Sequence, residues 1–283
     1  MTAIISTAYS RDLGDELRRL RENSTTLGGR AMAVQLGWDP SKVSNIETGK
    51  ARASEVDLAQ YLATCGKDLD FFDEFRRRYR HAFDTYFAQV SDNLRTIAMT
   101  EAAATKITSY DILTVHGLAQ TKSYARALLT ETGRNAEEEI EEFVRLRMER
   151  QAVLRRPYPP ECTFYVHELA LQMRLGDRRV MADQYRRLLF RSHVLRIVPA
   201  EAKGAALHSK CTLFEFDKAS PVAYTESDLA NVFAQDPAAI VRSRKLFERL
   251  DAVALDEEQS RSKLAEYVGG LREDDHDPGP DLA

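Results

Sequence analysis

Ser41, Lys42, Ser44 and Asn45 are the side chains whose types and spacing could act together, and their chemistry is hydrogen bonding to the edges of bases. A carboxamide can bond adenine through two atoms, an ammonium reaches guanine or a phosphate, and a hydroxyl suits several partners. Around them stand candidates for phosphate oxygens: the backbone N–H of Gly29, and the side chains of Arg30, Lys50 and Arg52. Groups this close in sequence act together only if one rigid element presents them on one face. Asp39 is placed to cap a helix, Pro40 occupies its first position where no N–H is needed, and Val43 and Ile46 face inward, which turns the four polar residues outward. Upstream, Met32 and Leu36 lie one helical turn apart beside the small Ala33, and Gly37 ends that helix. Gly28 to Lys50 therefore reads as helix, tight turn, helix.

The ending Ser44-Asn45-Ile46-Glu47-Thr48-Gly49-Lys50, together with the Gly37 turn and the Asp39-Pro40 start, closely resembles the helix-turn-helix of the XRE class of phage-repressor-like regulators. The resemblance implies an all-helical, lambda-repressor-like domain over 11–68 that binds double-stranded DNA. It also implies an ion pair between Arg21, near the end of the first helix, and Glu47. Relatives often carry a phosphate-binding Gln where Gly28 and Gly29 stand here, so that contact passes to backbone amides or to Arg30.

A hydrophobic fraction of 43% over 283 residues fits soluble globular protein with one small and one larger domain. No run of about 18 apolar residues and no signal-peptide pattern is present, so a cytoplasmic protein with no membrane contact is expected. The net charge of −4 does not favour nucleic acid, so the cations must act locally, with Asp12, Asp15, Glu16, Glu55 and Asp57 on flanking segments that face away. Such a face gives specific, salt-sensitive binding that is weak in a monomer, which points to a homodimer.

Along the chain, Met1 to Ser10 reads as a mobile arm and Leu13, Leu17 and Leu20 as the stripe of a first helix. Val56, Ala59, Leu62 and Ala63 form the stripe of a helix closing the small domain. Asp70 to Phe87 is dense in aromatics and reads as a connecting helix over 70–90, its rings in core or inter-domain contact. Stacking on single-stranded nucleic acid is the other reading of those rings. Beyond it, a strand or extended segment is expected at 105–115, strands at 163–166, 194–198, 212–216 and 222–225, and helices at 137–154, 177–191, 236–254 and 256–267. This is an α+β chain with a larger mixed α/β domain over 105–268 and a disordered acidic tail over 271–283.

Three landmarks carry a second resemblance: Gly117-Leu118-Ala119-Gln120-Thr121 with Tyr124-Ala125-Arg126-Ala127-Leu128-Leu129, then Arg147 to Leu154, then Thr212-Leu213-Phe214-Glu215-Phe216. In this order they resemble the domain of unknown function that many actinobacterial XRE-type regulators carry after their helix-turn-helix. The resemblance implies a regulatory, antitoxin-like domain that takes a small protein encoded nearby or a small-molecule ligand. His116 stands where relatives often have Pro, and Ala200 to Lys210 lacks their Gly- and Pro-rich loop.

Enzymatic chemistry finds no footing in the sequence. His167-Glu168 lacks the second His of a zinc-protease motif, and no nucleophile elbow, phosphate loop or dinucleotide fingerprint occurs. Cys162, His167, His193, His208 and Cys211 have no metal-ligand spacing. No catalytic residue, metal or cofactor is expected. The leading expectation is a sequence-specific transcriptional regulator, and the alternative is an antitoxin-like module that sequesters a small partner protein.

Overall fold

The computed structural model describes residues 6–89, 94–133 and 136–273. Its helices are α1 (Ala8–Ser24), α2 (Gly29–Leu36), α3 (Pro40–Glu47), α4 (Glu55–Thr64), α5 (Leu69–Tyr79), α6 (Arg95–Ala103), α7 (Lys122–Thr132), α8 (Glu137–Arg150), α9 (Glu168–Gln172), α10 (Arg178–Leu189), α11 (Pro237–Asp251) and α12 (Glu257–Glu273). Its strands are β1 (Tyr86–Gln89), β2 (Lys106–Asp111), β3 (Glu161–His167), β4 (Leu195–Val198), β5 (Cys211–Glu215), β6 (Val222–Glu226) and β7 (Asn231–Ala234). A helical N-terminal region is thus followed by a mixed α/β region. By compactness the chain divides into Met1–Thr100 with Phe216–Ile240, and Glu101–Glu215 with Val241–Ala283. The segment carrying β6 and β7 therefore groups with the N-terminal residues, across the 105–268 boundary read from sequence.

In the first unit, side-chain caps start the helices: Thr7 and Ser10 cap α1 reciprocally, Ser54 and Asp57 do so for α4, and Asp68 caps α5. Leu13, Leu17, Met32, Val43, Ile46 and Phe75 are buried in its core. Two glycines let α1 approach the end of α3. A Cβ on Gly14 would lie 2.7 Å from the carbonyl oxygens of Ile46 and Glu47. Gly49, at φ +66°, would place a Cβ 2.4 Å from the backbone of Ser10, and Ser10 Oγ donates to Gly49 O at 2.8 Å. Strand β7 pairs antiparallel with both β1 and β6, and Phe87 of β1 lies between Tyr9 and Phe233 with ring centroids at 3.5 and 5.8 Å.

Several expectations are corrected here. Helix α1 begins at Ala8, so the expected arm is helical from that residue, while Met1–Ile5 lie outside the described residues. The signal was hard to read because Ser10 supplies the return bond of the capping box in place of the usual Glu or Gln. The expected 70–90 helix stops at Tyr79, and a turn through His81–Asp84 leads into β1. The buried face of α4 is Leu58, Tyr61 and Leu62, whereas Val56, Ala59 and Ala63 are exposed. Asp12 and Asp15 are buried, not solvated: Arg95 lies 3.0 Å from Asp12, 3.1 Å from Asp15 and 3.3 Å from Glu16, and Arg78 grips Glu16 through two bonds of 2.8 Å. These acids are thereby neutralised within the unit. Burial raises the Asp12 carboxyl above its ordinary range, against the hydrogen bond from Thr96 and the charge of Arg95. The acidic tail expected at 271–283 begins inside α12, and residues 274–283 lie outside the described ones.

In the second unit the strand order is β5-β2-β3-β4, with β2, β3 and β4 parallel and β5 antiparallel to β2. Helices α7 and α8 connect β2 to β3, and α9 and α10 connect β3 to β4, the crossovers that parallel pairing requires. Two histidines stand at the exits of parallel strands. His116-Gly117-Leu118-Ala119 comes after β2, His167 is the last residue of β3 and leads into Glu168-Leu169-Ala170, and each imidazole Nδ1 accepts the backbone N–H two residues on, at 3.3 and 3.2 Å. Among the described residues, no three or more of the His, Cys, Asp and Glu side chains gather as a metal site.

Burial holds both imidazoles below their ordinary pKa of 6.5; for His116, Asp111 and Glu101 oppose the shift while Lys210 and Arg150 add to it, and for His167 Glu168 opposes it. The unfolded chain therefore takes up protons near pH 6.5 that the folded chain refuses, so stability is full above this value and falls as the pH drops below it. Each histidine contributes at most about 1.4 kcal/mol per pH unit. Urea unfolding at pH 7.5 and at pH 5.5, roughly one unit either side of the unfolded imidazole value, should show this fall. It should be smaller in His116→Asn, which keeps an acceptor for Leu118 N; an equal fall would remove His116 from the account.

Candidate DNA-binding surface

Helix α2 starts at an N-cap, Gly28, that has no side-chain hydrogen bond, so its first N–H groups are not taken by a cap. It ends at Gly37 in the left-handed conformation, φ 68°, where the Gly37 and Trp38 N–H groups return to α2 carbonyls. Asp39 then caps α3 by accepting from Ser41 N at 2.7 Å, and the hydrogen bonds from Ser41 hold its carboxyl below the usual range. Val43 and Ile46 are 1% and 2% exposed, which fixes the rotation of α3 and turns Ser41 and Ser44 fully outward with Asn45 half-exposed. The Ser44 hydroxyl and the Asn45 carboxamide make no hydrogen bond to the described residues.

Lys42 differs from the expected free cation. Its Nζ lies 2.6 Å from Asp57 Oδ1 on α4 and 4.3 Å above the Trp38 ring. The ordering of Asp57 by the Ser54 cap brings the carboxylate there, which the sequence placed on a face turned away. Burial works against ionisation of Asp57, yet the hydrogen bonds from Lys42 and Ser54 hold its carboxyl below the usual value. Of the phosphate candidates, Arg30 and Lys50 are exposed. Arg52 is exposed but anchored, donating to Arg80 O at 3.1 Å over the Phe83 ring.

Beneath α3, Arg21 Nε and Nη2 lie 2.7 and 2.9 Å from the two Glu47 oxygens, both side chains 7% exposed. The remaining acceptor capacity of Glu47 is met by the Tyr61 hydroxyl at 2.6 Å, and Arg21 Nη1 donates to Leu27 O at 3.0 Å. The hydrogen bond to Glu47 raises the proton affinity of Arg21, and burial followed by the hydrogen bond to Glu47 raises that of Tyr61. This arrangement ties α1, the α2 entry, α3 and α4 together. Tyr61 was not singled out from sequence; its position one turn after Leu58 was the available signal.

The family model described as a helix-turn-helix domain matches residues 12–75, which makes the chain a DNA-binding regulator and locates that function in α1–α5. No helix among the described residues is long and apolar enough to cross a membrane. No curated protein and no solved structure matches the chain. A second family model, described as a domain of unknown function (DUF5753), matches residues 94–266, more than half of the chain, and the chain belongs to that family.

Proposed function

We propose that the chain is a cytoplasmic, sequence-specific transcriptional regulator of the XRE class that reads the major groove with α3. The observation that carries this reading is the outward face of α3, with its Ser44 and Asn45 polar groups unengaged, standing on the buried Arg21, Glu47 and Tyr61 arrangement. Ser41, Ser44 and Asn45 reach base edges, Lys42 joins them when it leaves Asp57, and Gly29 N–H, Arg30, Lys50 and Arg52 hold phosphates. One short helix contacts few bases, so a homodimer reads two half-sites about 34 Å apart. The family domain at 94–266 acts as the receiver of a protein or small-molecule signal, and the chain works by binding rather than by catalysis.

Footprinting the full chain on the DNA upstream of its own gene should reveal paired protected half-sites. Asn45→Ala should weaken that binding by about 1 to 3 kcal/mol, roughly five- to 150-fold, and relax preference at one base position. Unchanged affinity would remove Asn45 from the readout. An absence of protection, with a small protein co-purifying with the chain, would favour the antitoxin-like reading instead.

A further inference from the structure

Where arginines gather in this chain, acids generally meet them. Arg95 faces Asp12, Asp15 and Glu16, Arg78 faces Glu16, and Arg150 faces Glu101. One cluster in the second unit breaks the pattern. Arg187, on the last turn of α10, is half-buried; its Nη2 donates to Gln151 Oε1 at 2.6 Å, and its Nε is buried without a hydrogen-bond partner. Arg191 follows one helical turn later, and Arg155 closes the 3-10 segment Gln151–Arg155 that opens with the glutamine holding Arg187. Among the described residues no carboxylate lies within 4.0 Å of any of the three guanidinium groups. Burial, and then the positive charges of Arg191 and Arg155, pull Arg187 below the ordinary guanidinium pKa.

A desolvated donor among like charges is unfavourable unless something compensates it. The carbonyl end of α10 offers only about half a negative charge against three cations. A phosphate group would supply a charge near −2 and three acceptor oxygens, matched to the planar forks of arginine. Two cations beside one half-buried guanidinium, three in all, suit a single phosphate rather than the extended row of a nucleic-acid backbone. We propose that Arg155, Arg187 and Arg191 form a binding site for the phosphate group of a small ligand. The site lies in the family domain and supplies the ligand chemistry for the control proposed above; only that regulatory consequence rests on the DNA-binding reading.

The test is thermal unfolding of the full chain, without DNA, in pyrophosphate or ADP against sodium chloride at equal ionic strength. Both ligands should raise Tm in a concentration-dependent manner, and the rise should disappear in Arg191→Gln and Arg155→Gln while persisting in Arg179→Gln, which alters an exposed arginine elsewhere on α10. A larger rise with ADP assigns the phosphate to a nucleotide, and an equal or larger one with pyrophosphate assigns it to the free oxyanion. Without ligand, Arg191→Gln should melt no lower than the wild type, because it removes repulsion. No rise in the wild type over matched chloride, or an undiminished rise in Arg191→Gln, overturns the site. Neither outcome touches DNA binding, which the footprint measures separately.

Discussion

Gly49→Ala is expected to destabilise the first unit by roughly 3 kcal/mol or more, and to abolish DNA binding with it. Two effects add at this position. The left-handed backbone, φ +66°, is disfavoured for an L side chain by about 1 to 2 kcal/mol. The new methyl would also stand 2.4 Å from the Ser10 carbonyl carbon and oxygen, which are backbone atoms of α1 and cannot rotate away. Relief requires α1 to move off α3, breaking the 2.8 Å Ser10–Gly49 hydrogen bond and opening the contact at Gly14. Urea unfolding followed by circular dichroism measures the loss. Gly29→Ala is the control: its methyl would meet only Val43, at 3.9 Å, and it should be neutral or stabilising by up to about 1 kcal/mol. Equal effects from the two substitutions would disprove the account of the α1–α3 approach.

The second large effect is at Glu47. Glu47→Leu leaves the buried Arg21 with only the exposed Glu22, at 3.4 Å, as counter-charge and Tyr61 with only Leu17 O, at 3.2 Å, as acceptor, and should lower stability by about 3 to 5 kcal/mol. Tyr61→Phe, which removes one hydrogen bond to the same carboxylate, should lower it by about 1 to 2 kcal/mol. The double change Arg21→Met with Glu47→Leu should recover much of the loss, since an apolar pair carries no unpaired buried charge. A double-mutant cycle on the urea midpoints gives the coupling. Additive losses from Arg21→Met and Glu47→Leu would show that the pair is not coupled and that α3 is held by packing alone.

The recognition helix was legible because its signals are local. Asp39, Pro40, Val43 and Ile46 lie within one short segment, and the structure places each as the spacing requires. The partners that finish the surface come from a distance: Asp57 reaches Lys42 from α4, and Arg80 receives Arg52 from beyond α5. Periodicity carries no information about such meetings. Helix α4 was read out of phase because Val56 and Ala59 are apolar, while the larger Leu58 and Tyr61 define the buried side. The end of α5 was missed because no Gly or Pro stands between Tyr79 and Tyr86, and the aromatics of β1 suit a helix as well as a strand. Helix α6 and strand β7 were not anticipated at all; α6 carries Arg95 and Thr96, whose value lies in their distant acidic partners.

The discontinuity of the first unit bears on how the protein is made. On the ribosome α1 to α5 emerge early, but β7, the strand that pairs with β1, is not translated until residues 231–234. Until then Phe87 lacks Phe233, and the β1 backbone has an open edge of the kind that invites pairing with another chain. A nascent chain stalled before Phe216 would therefore hold the DNA-reading helices with their sheet unfinished, and the cell acquires a completed first unit only after most of the polypeptide has been synthesised.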